Sequence, residues 1–523
     1  MNAAACRLTV WLLALAAGTA WASPLALVEA GRISGVAQGD VEKFLGIPYA
    51  APPVGALRWR APQSVPHWSG VLKATHFGHD CMQTPYPSDA APLGVKPAED
   101  CLVLNVWRSA GAKAGDRLPV LVWIYGGGNV NGGASPEVYS GESFARHGVM
   151  FVSFNYRVGR FGYFAFPQLT REDRDHGLLA NYGYMDAIAA MRWVQHNIAA
   201  LGGDPGQVTI YGQSAGAGQV YMLLTSPLAD GLFSRAIIQS GAGFDRPSFQ
   251  ASSSNPLSIE MAGVNFAKRW GIEGTGPEAL EHLRALRAGQ VTDGLHIGTM
   301  AAQASTFVGP VRDGNVYPNS LLLDNFASGH HAKVALLLGS TAGDNYRMSA
   351  GTLDEAYAGF GAASERARAA YSRDAPTDPQ ALIREIGRDR NYREPNRYVA
   401  RKMTEQGLAA YVYRFNYVVT PMREQWKEGP LHATDIPFSM NTVRAKYGNS
   451  LTASDLAMAN MVHHYWVNFV RTGNPNGPGL PEWPAYDAKD DVLLDFATTG
   501  IPKAIADPRR DRLDAVAAAT GRE

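Results

Sequence analysis

The chain has 523 residues, 46% hydrophobic and 18% charged, with 55 Gly and 32 Pro, which suffices for a large buried core. Basic and acidic residues both number 47, so no global field draws the protein to nucleic acid or to an anionic membrane surface. No HExxH or CxxC pattern is present, and the His330-His331 and His463-His464 pairs lack ligand spacing, so neither a metal site nor a cofactor is expected.

The first 22 residues read as a targeting segment. Arg7 supplies a positive start, Leu8 to Ala17 an apolar run, and Ala20-Trp21-Ala22 a small-x-small cleavage site. That run is too short to span a bilayer, and nothing later reaches the ~20 apolar residues that a span needs. The expected mature chain starts near Ser23 and is exported, secreted or periplasmic. Cys6 leaves with the leader, so Cys81 and Cys101 remain. In an oxidising compartment two cysteines suggest one disulfide, with two buried free thiols as the alternative.

Taken in chain order, residues 25–37 read as a β-hairpin, and Phe44 to Pro62 as an irregular, Pro-rich stretch. Leu102 to Trp107 has strand character. Leu118 to Tyr125 is a continuous apolar strand suited to a sheet centre, and it runs into Gly126-Gly127-Gly128. Met150 to Tyr156 is a second buried strand. Tyr184, Ala187, Ile188, Met191, Val194 and Ile198 recur at helical spacing, and Gly202-Gly203-Asp204-Pro205 ends that helix. Arg235–Gln239, Val334–Leu338 and Tyr411–Phe415 read as further core strands. Strands alternating with helices predict an α/β fold with a mainly parallel sheet covered on both faces. Near 245–330 and again near 350–405 helical, polar segments replace strands, as expected of insertions capping the sheet's C-terminal edge. The 502–523 tail reads as a peripheral helix.

Between these elements lies Val208-Thr209-Ile210-Tyr211-Gly212-Gln213-Ser214-Ala215-Gly216. Strand-forming residues run into Gly-x-Ser-x-Gly, and a helix-compatible run follows at once. That is the context of a nucleophile elbow, in which a tight turn holds a serine hydroxyl exposed at the top of a sheet. In a chain with 55 Gly the short pattern also arises by chance, so other stretches must decide.

They do so together. FLGIPYAAPPVG (44–55), EDCLVLNVW (99–107), VLVWIYGGG (120–128), FNYRVGRFGY (154–163), GGDPGQVTIYGQSAGA (202–217), FSRAIIQSGA (233–242) and RTGNPN (471–476) resemble the type-B carboxylesterases, the cholinesterase-like branch of the α/β-hydrolases. The resemblance runs from about residue 25 to 495. It implies a single α/β-hydrolase domain over 23–523, a mainly parallel central sheet flanked by helices, with helical cap insertions. It further implies serine carboxylic-ester hydrolysis of a small-molecule ester through an acyl-enzyme. Ser214 matches the nucleophile. His432, in GPLHATDIPF (429–438), matches the general base. Asp344, in GSTAGDN (339–345), falls where the family places a Glu, with Asp354 or Glu355 as the alternative acids. The backbone N–H groups of Gly127, Gly128 and Ala215 match the oxyanion hole. Ser240, Glu99 and Asp435 match supporting positions, and Cys81 with Cys101 matches the N-terminal disulfide.

The departures bear on substrate. Cholinesterases carry Glu before the nucleophile and an aromatic residue after the Gly triplet; here these are Gln213 and Asn129. The loop from Cys81 to Cys101 holds no Trp, where those relatives hold a choline-binding one. Quaternary ammonium recognition needs an aromatic face and negative charge, so a neutral-ester hydrolase is expected, with Asn129 and Gln213 in the substrate pocket. Both amides could instead serve only the protein's own hydrogen bonds. An amidase or carbamate hydrolase on the same machinery is the nearest alternative, and a non-catalytic recognition protein a more distant one.

Overall fold

The computed structural model describes residues 23–523 apart from 88–92, 242, 244, 252–255, 347 and 374–377. The expected leader, residues 1–22, lies outside the described residues. The centre is an eleven-stranded sheet. In chain order its strands are β1 (Val36–Gln38), β2 (Val41–Pro48), β3 (Val103–Ser109), β4 (Leu118–Ile124), β5 (Met150–Phe154), β6 (Gly203–Gln213), β7 (Arg235–Gln239), β8 (Ala335–Thr341), β9 (Ala410–Phe415), β10 (Val492–Phe496) and β11 (Pro502–Ala506). Their spatial order is β11-β10-β9-β8-β7-β6-β4-β5-β3-β2-β1. Every neighbouring pair from β10 to β5 is parallel, and antiparallel pairings occupy both edges.

Parallel strands need crossover connections, and those crossovers cover both faces. The result is visible residue by residue. Val120 to Ile124, Met150 to Phe154 and Leu336 to Thr341 are buried without alternation, which requires apolar neighbours above and below the sheet. Helix α1 (Tyr182–Asn197) supplies part of that cover with the predicted apolar face, and Gly202 at φ 95° closes its 3-10 extension. Helix α2 (Ala215–Thr225) follows β6 directly, and α3 (Ala453–Thr472) buries Trp466, Phe469 and Val470.

Two stretches differ from the sequence reading. Within the supposedly irregular Phe44–Pro62, residues up to Pro48 belong to β2, which pairs with β3 across a register shift between Phe44 and Ile47. The tail begins with β11, not a helix, and pairs with β10 from Val492↔Ala506 to Phe496↔Pro502. Its helix α4 (Arg510–Thr520) is not peripheral: Ala515 and Val516 are buried with Tyr357, Phe360, Leu382 and Ile386 in a separate small core. The hairpin expected at 25–37 forms from Leu25–Val28 and Gly31–Ser34. Cys81 and Cys101 are joined by a disulfide. No described helix is long and apolar enough to cross a membrane.

Candidate active site

Ser214 stands between β6 and α2 at φ 56°, ψ −120°, a conformation that L-residues adopt only when the surroundings enforce it. The surroundings are the two flanking glycines. A Cβ on Gly212 would lie 2.3 Å from Gly216 O, and one on Gly216 would lie 2.0 Å from Ile124 O. Only glycines let the turn close and let α2 press against the end of β4. Ser214 N–H donates to Gln239 O at 3.0 Å, tying the turn to β7. From Tyr211 to Ser226 every residue is buried except Ser214 and Gly218, which are part-exposed.

The close approach of α2 to β4 also sets Ala215, the first residue of the helix, beside the loop that leaves β4. There Gly127 and Gly128 take φ values of 100° and 65°, and a Cβ on Gly127 would lie 2.2 Å from Asn131 O. Among the described residues the N–H groups of Gly127, Gly128 and Ala215 have no protein acceptor. Three free donors in this setting suit an anionic oxygen.

The candidate base and acid, His432 and Asp344, are joined by their own loops. Gly343 N–H donates to Pro430 O at 3.0 Å, and a single bridge pairs Gly343 with Leu431. A Cβ on Gly343 would approach Gly429 O at 2.9 Å, so the loops could not meet as closely around a larger residue. Their contact delivers Asp344 Oδ1 to His432 Nδ1 at 2.5 Å. Asp344 Oδ1 also accepts from Asn345 N–H, and Arg388 holds the loop through Asp344 O at 2.9 Å. Burial pushes the Asp344 carboxyl up, but the charge and hydrogen bond of His432, with help from Ser240, hold it below the usual carboxylate value. The alternative acids lie elsewhere. Asp354 is exposed and pairs with Arg368, and Glu355 caps its own helix through Gly351 and Thr352.

With Nδ1–H given to Asp344, Nε2 of His432 is the acceptor edge. It faces Gln213 Nε2 at 3.2 Å, so the amide next to Ser214 donates to the imidazole, and Gln213 Oε1 is buried without a partner among the described residues. Asn129 is buried at φ 62°, with Oδ1 accepting from Tyr163 at 3.2 Å. Both pocket amides therefore serve the protein's own hydrogen bonds at least in part. Behind the acid, Asp435 accepts from Tyr413 at 3.1 Å, and burial together with the nearby Asp344 charge pushes its carboxyl up to about 6. Glu99 is remote in role: it holds Arg58 through two contacts of 2.6 and 2.8 Å.

Several neighbours of the site carried no signal in the sequence. Ile297 and Met300 approach Gly128, and the Tyr392 ring stands 6.3 Å from His432. No pattern announces them: Ile297 and Met300 lie in a run of turns and Tyr392 in a helical segment, all distant in sequence and placed only by tertiary packing. Among the described residues no group of His, Cys, Asp and Glu could hold a metal ion.

The chain's resemblance to known proteins agrees with this geometry. The model of the carboxylesterase family matches residues 22–381 and 360–511. The chain belongs to the carboxylesterase family. A fumonisin B1 esterase of Sphingopyxis macrogoltabida is 31% identical over 483 residues, covering 89% of this chain and 85% of that protein. A liver carboxylesterase 1 of Oryctolagus cuniculus is also 31% identical, over 546 residues, covering 95% and 94%. Among solved structures a PNB esterase superposes with a TM-score of 0.79 at 26% identity, covering 95% of this chain and 99% of its own. The fold is that of the α/β-hydrolases, and the activity is that of a carboxylesterase.

Proposed function

We propose that this carboxylesterase is an exported enzyme that cleaves neutral esters through an acyl-enzyme on Ser214. The observation that carries the reading is the His432–Asp344 contact of 2.5 Å beside the strained Ser214 turn. Asp344 fixes the imidazole with its proton on Nδ1, which leaves Nε2 to take the Ser214 proton. Ser214 Oγ attacks the ester carbonyl, and the N–H groups of Gly127, Gly128 and Ala215 receive the charge on its oxygen. His432 then protonates the leaving alcohol, and a water activated by the same nitrogen releases the acid. Gln213 must yield Nε2 to Ser214 in the first step. Export rests on the leader sequence and is supported by the Cys81–Cys101 disulfide.

The neutral-ester reading rests on the absence of a cation-binding group among the residues next to the nucleophile: an amide precedes Ser214, and an amide follows the Gly triplet. The test compares kcat/KM for butyrylcholine with that for its uncharged tert-butyl-headed isostere. Equal rates, or a preference for the neutral ester, are expected. A tenfold advantage for the cation would overturn this part of the reading. A fluorophosphonate should meanwhile label Ser214 and no other residue.

A further inference from the structure

The face of α2 that carries Ser214 opens again at Gly218, one turn on and about 6 Å along the axis. These are the two part-exposed residues between Tyr211 and Ser226, and their spacing of four places them on one face of the helix. Gly218 N–H closes the first helical turn onto Ser214 O at 2.9 Å. What lies over Gly218 is a guanidinium: a Cβ there would stand 2.7 Å from Arg246 Nη2. The absence of a side chain at residue 218 is what admits Arg246 to the cleft.

Arg246 is the cation beside this helix turn, and it has no carboxylate partner among the described residues. Arg157, by contrast, is held by Asp186 at 2.7 Å, and Arg58 by Glu99 at 2.6 Å. The guanidinium lies among Tyr184, Tyr317 and Tyr163, whose rings are buried. Tyr184 Oη is near it without completing a hydrogen bond of good geometry. Its neighbour Asp245 is exposed and accepts from Leu322 N–H at 2.8 Å. Tyr163 in turn donates to Asn129, which directly follows the Gly triplet, so the group spans from the oxyanion donors to the helix turn beyond the nucleophile. Arg246 is half-buried, and a cation partly withdrawn from water beside aromatic rings is stabilised by an anion that completes it. A planar guanidinium with free N–H groups matches a carboxylate in two parallel hydrogen bonds.

We propose that Arg246 forms a carboxylate-binding subsite in the catalytic cleft, so that esters bearing a free carboxylate near the scissile carbonyl are preferred substrates. The proposal rests on the ester-hydrolase reading and extends it from neutral esters to ones with a pendant acid. The spacing along α2 calls for roughly three or four carbon–carbon bonds of about 1.5 Å between the scissile carbonyl and the carboxylate.

Two ester pairs test it. The 4-nitrophenyl monoester of succinic acid against the levulinate ester places the carboxylate, or its neutral methyl ketone isostere, on the acid side. The butyrate ester of glycolic acid against that of hydroxyacetone does the same on the alcohol side. The parent enzyme should favour the carboxylate member of one pair at least tenfold in kcat/KM. Arg246→Met should cut that ratio at least tenfold, and Arg246→Lys should retain part of it. Independently of any variant, glutarate should inhibit levulinate ester hydrolysis competitively, and its neutral diamide should do so at least tenfold more weakly. No carboxylate preference in either pair, a preference that survives in Arg246→Met, or equal inhibition by the diamide would each overturn the proposal. Failure of the parent on all four esters would instead count against the ester-hydrolase reading itself.

Discussion

Asp344 and Asp435 are two buried carboxylates in one electrostatic neighbourhood, and their opposite displacements assign them different work. Asp344, held low by His432, suits the proposed orienting of the imidazole. Asp344→Asn should lower kcat by about 10⁴-fold, because the amide favours the wrong tautomer, while Asp344→Glu should retain more. Steady-state kinetics on a neutral ester checks both, and a larger loss from Asp354→Asn would contradict the assignment. Asp435, raised to about 6, binds a proton in the folded state that the unfolded chain has already released between its ordinary value and that point. The folded form loses relative stability as pH rises through that window. Asp435→Asn keeps an acceptor for Tyr413 and has no charge to bury, so its stability relative to the parent should grow from pH 4 to pH 7. Urea midpoints at the two pH values decide it; a constant difference would refute the shift. Gln213→Glu adds a carboxylate at the Nε2 edge of His432 and should move the acid limb of kcat/KM upward by about one pH unit. At this scale the sequence was readable where the chemistry is local. Ser214 and His432 sit in motifs, and Asp344 follows a strand in a glycine-rich turn. Arg246, Tyr392, Ile297 and Met300 have no such local mark, since their value comes from segments that meet only in the folded chain.

The elements meet at glycines. Gly216 lets α2 reach β4, so the pocket's donors and its nucleophile share one close contact. Gly216→Ala should cost about 1–3 kcal/mol through overpacking against main-chain oxygens and lower kcat further by displacing Ala215. The urea midpoint and the neutral-ester kcat, read together, check this. The disulfide closes a separation of 20 residues, and Cys81→Ser with Cys101→Ser should lower stability by ~3 kcal/mol. The parallel core strands were legible because burial on both faces makes them continuous apolar runs. Strand β11 was not: Pro502–Ala506 lies at the edge with only Pro502 buried, so its residues carry no strand pattern. The last part of β2, Phe44 to Pro48, was masked by the proline-rich run it leads into.

On the scale of the whole molecule, the proposed mechanism has the sheet fix Ser214, the loops after β4 and β8 supply the donors and Asp344, and the segments of 245–330 and 350–405 bring side chains beside them. Ile297, Met300 and Tyr392 come from those segments, in keeping with a cap that shapes substrate choice over a shared catalytic base. That division of labour is why the reaction class could be read from motifs while the substrate could not. The proposed mechanism passes through a covalent acyl intermediate on Ser214. Rapid acid quench during turnover of an activated neutral ester, followed by peptide mass analysis, measures it directly. The acyl mass is expected on the peptide holding Ser214, with no adduct and at least ~10⁴-fold slower turnover in Ser214→Ala. An acyl group on any other residue, or undiminished hydrolysis by Ser214→Ala, would contradict it.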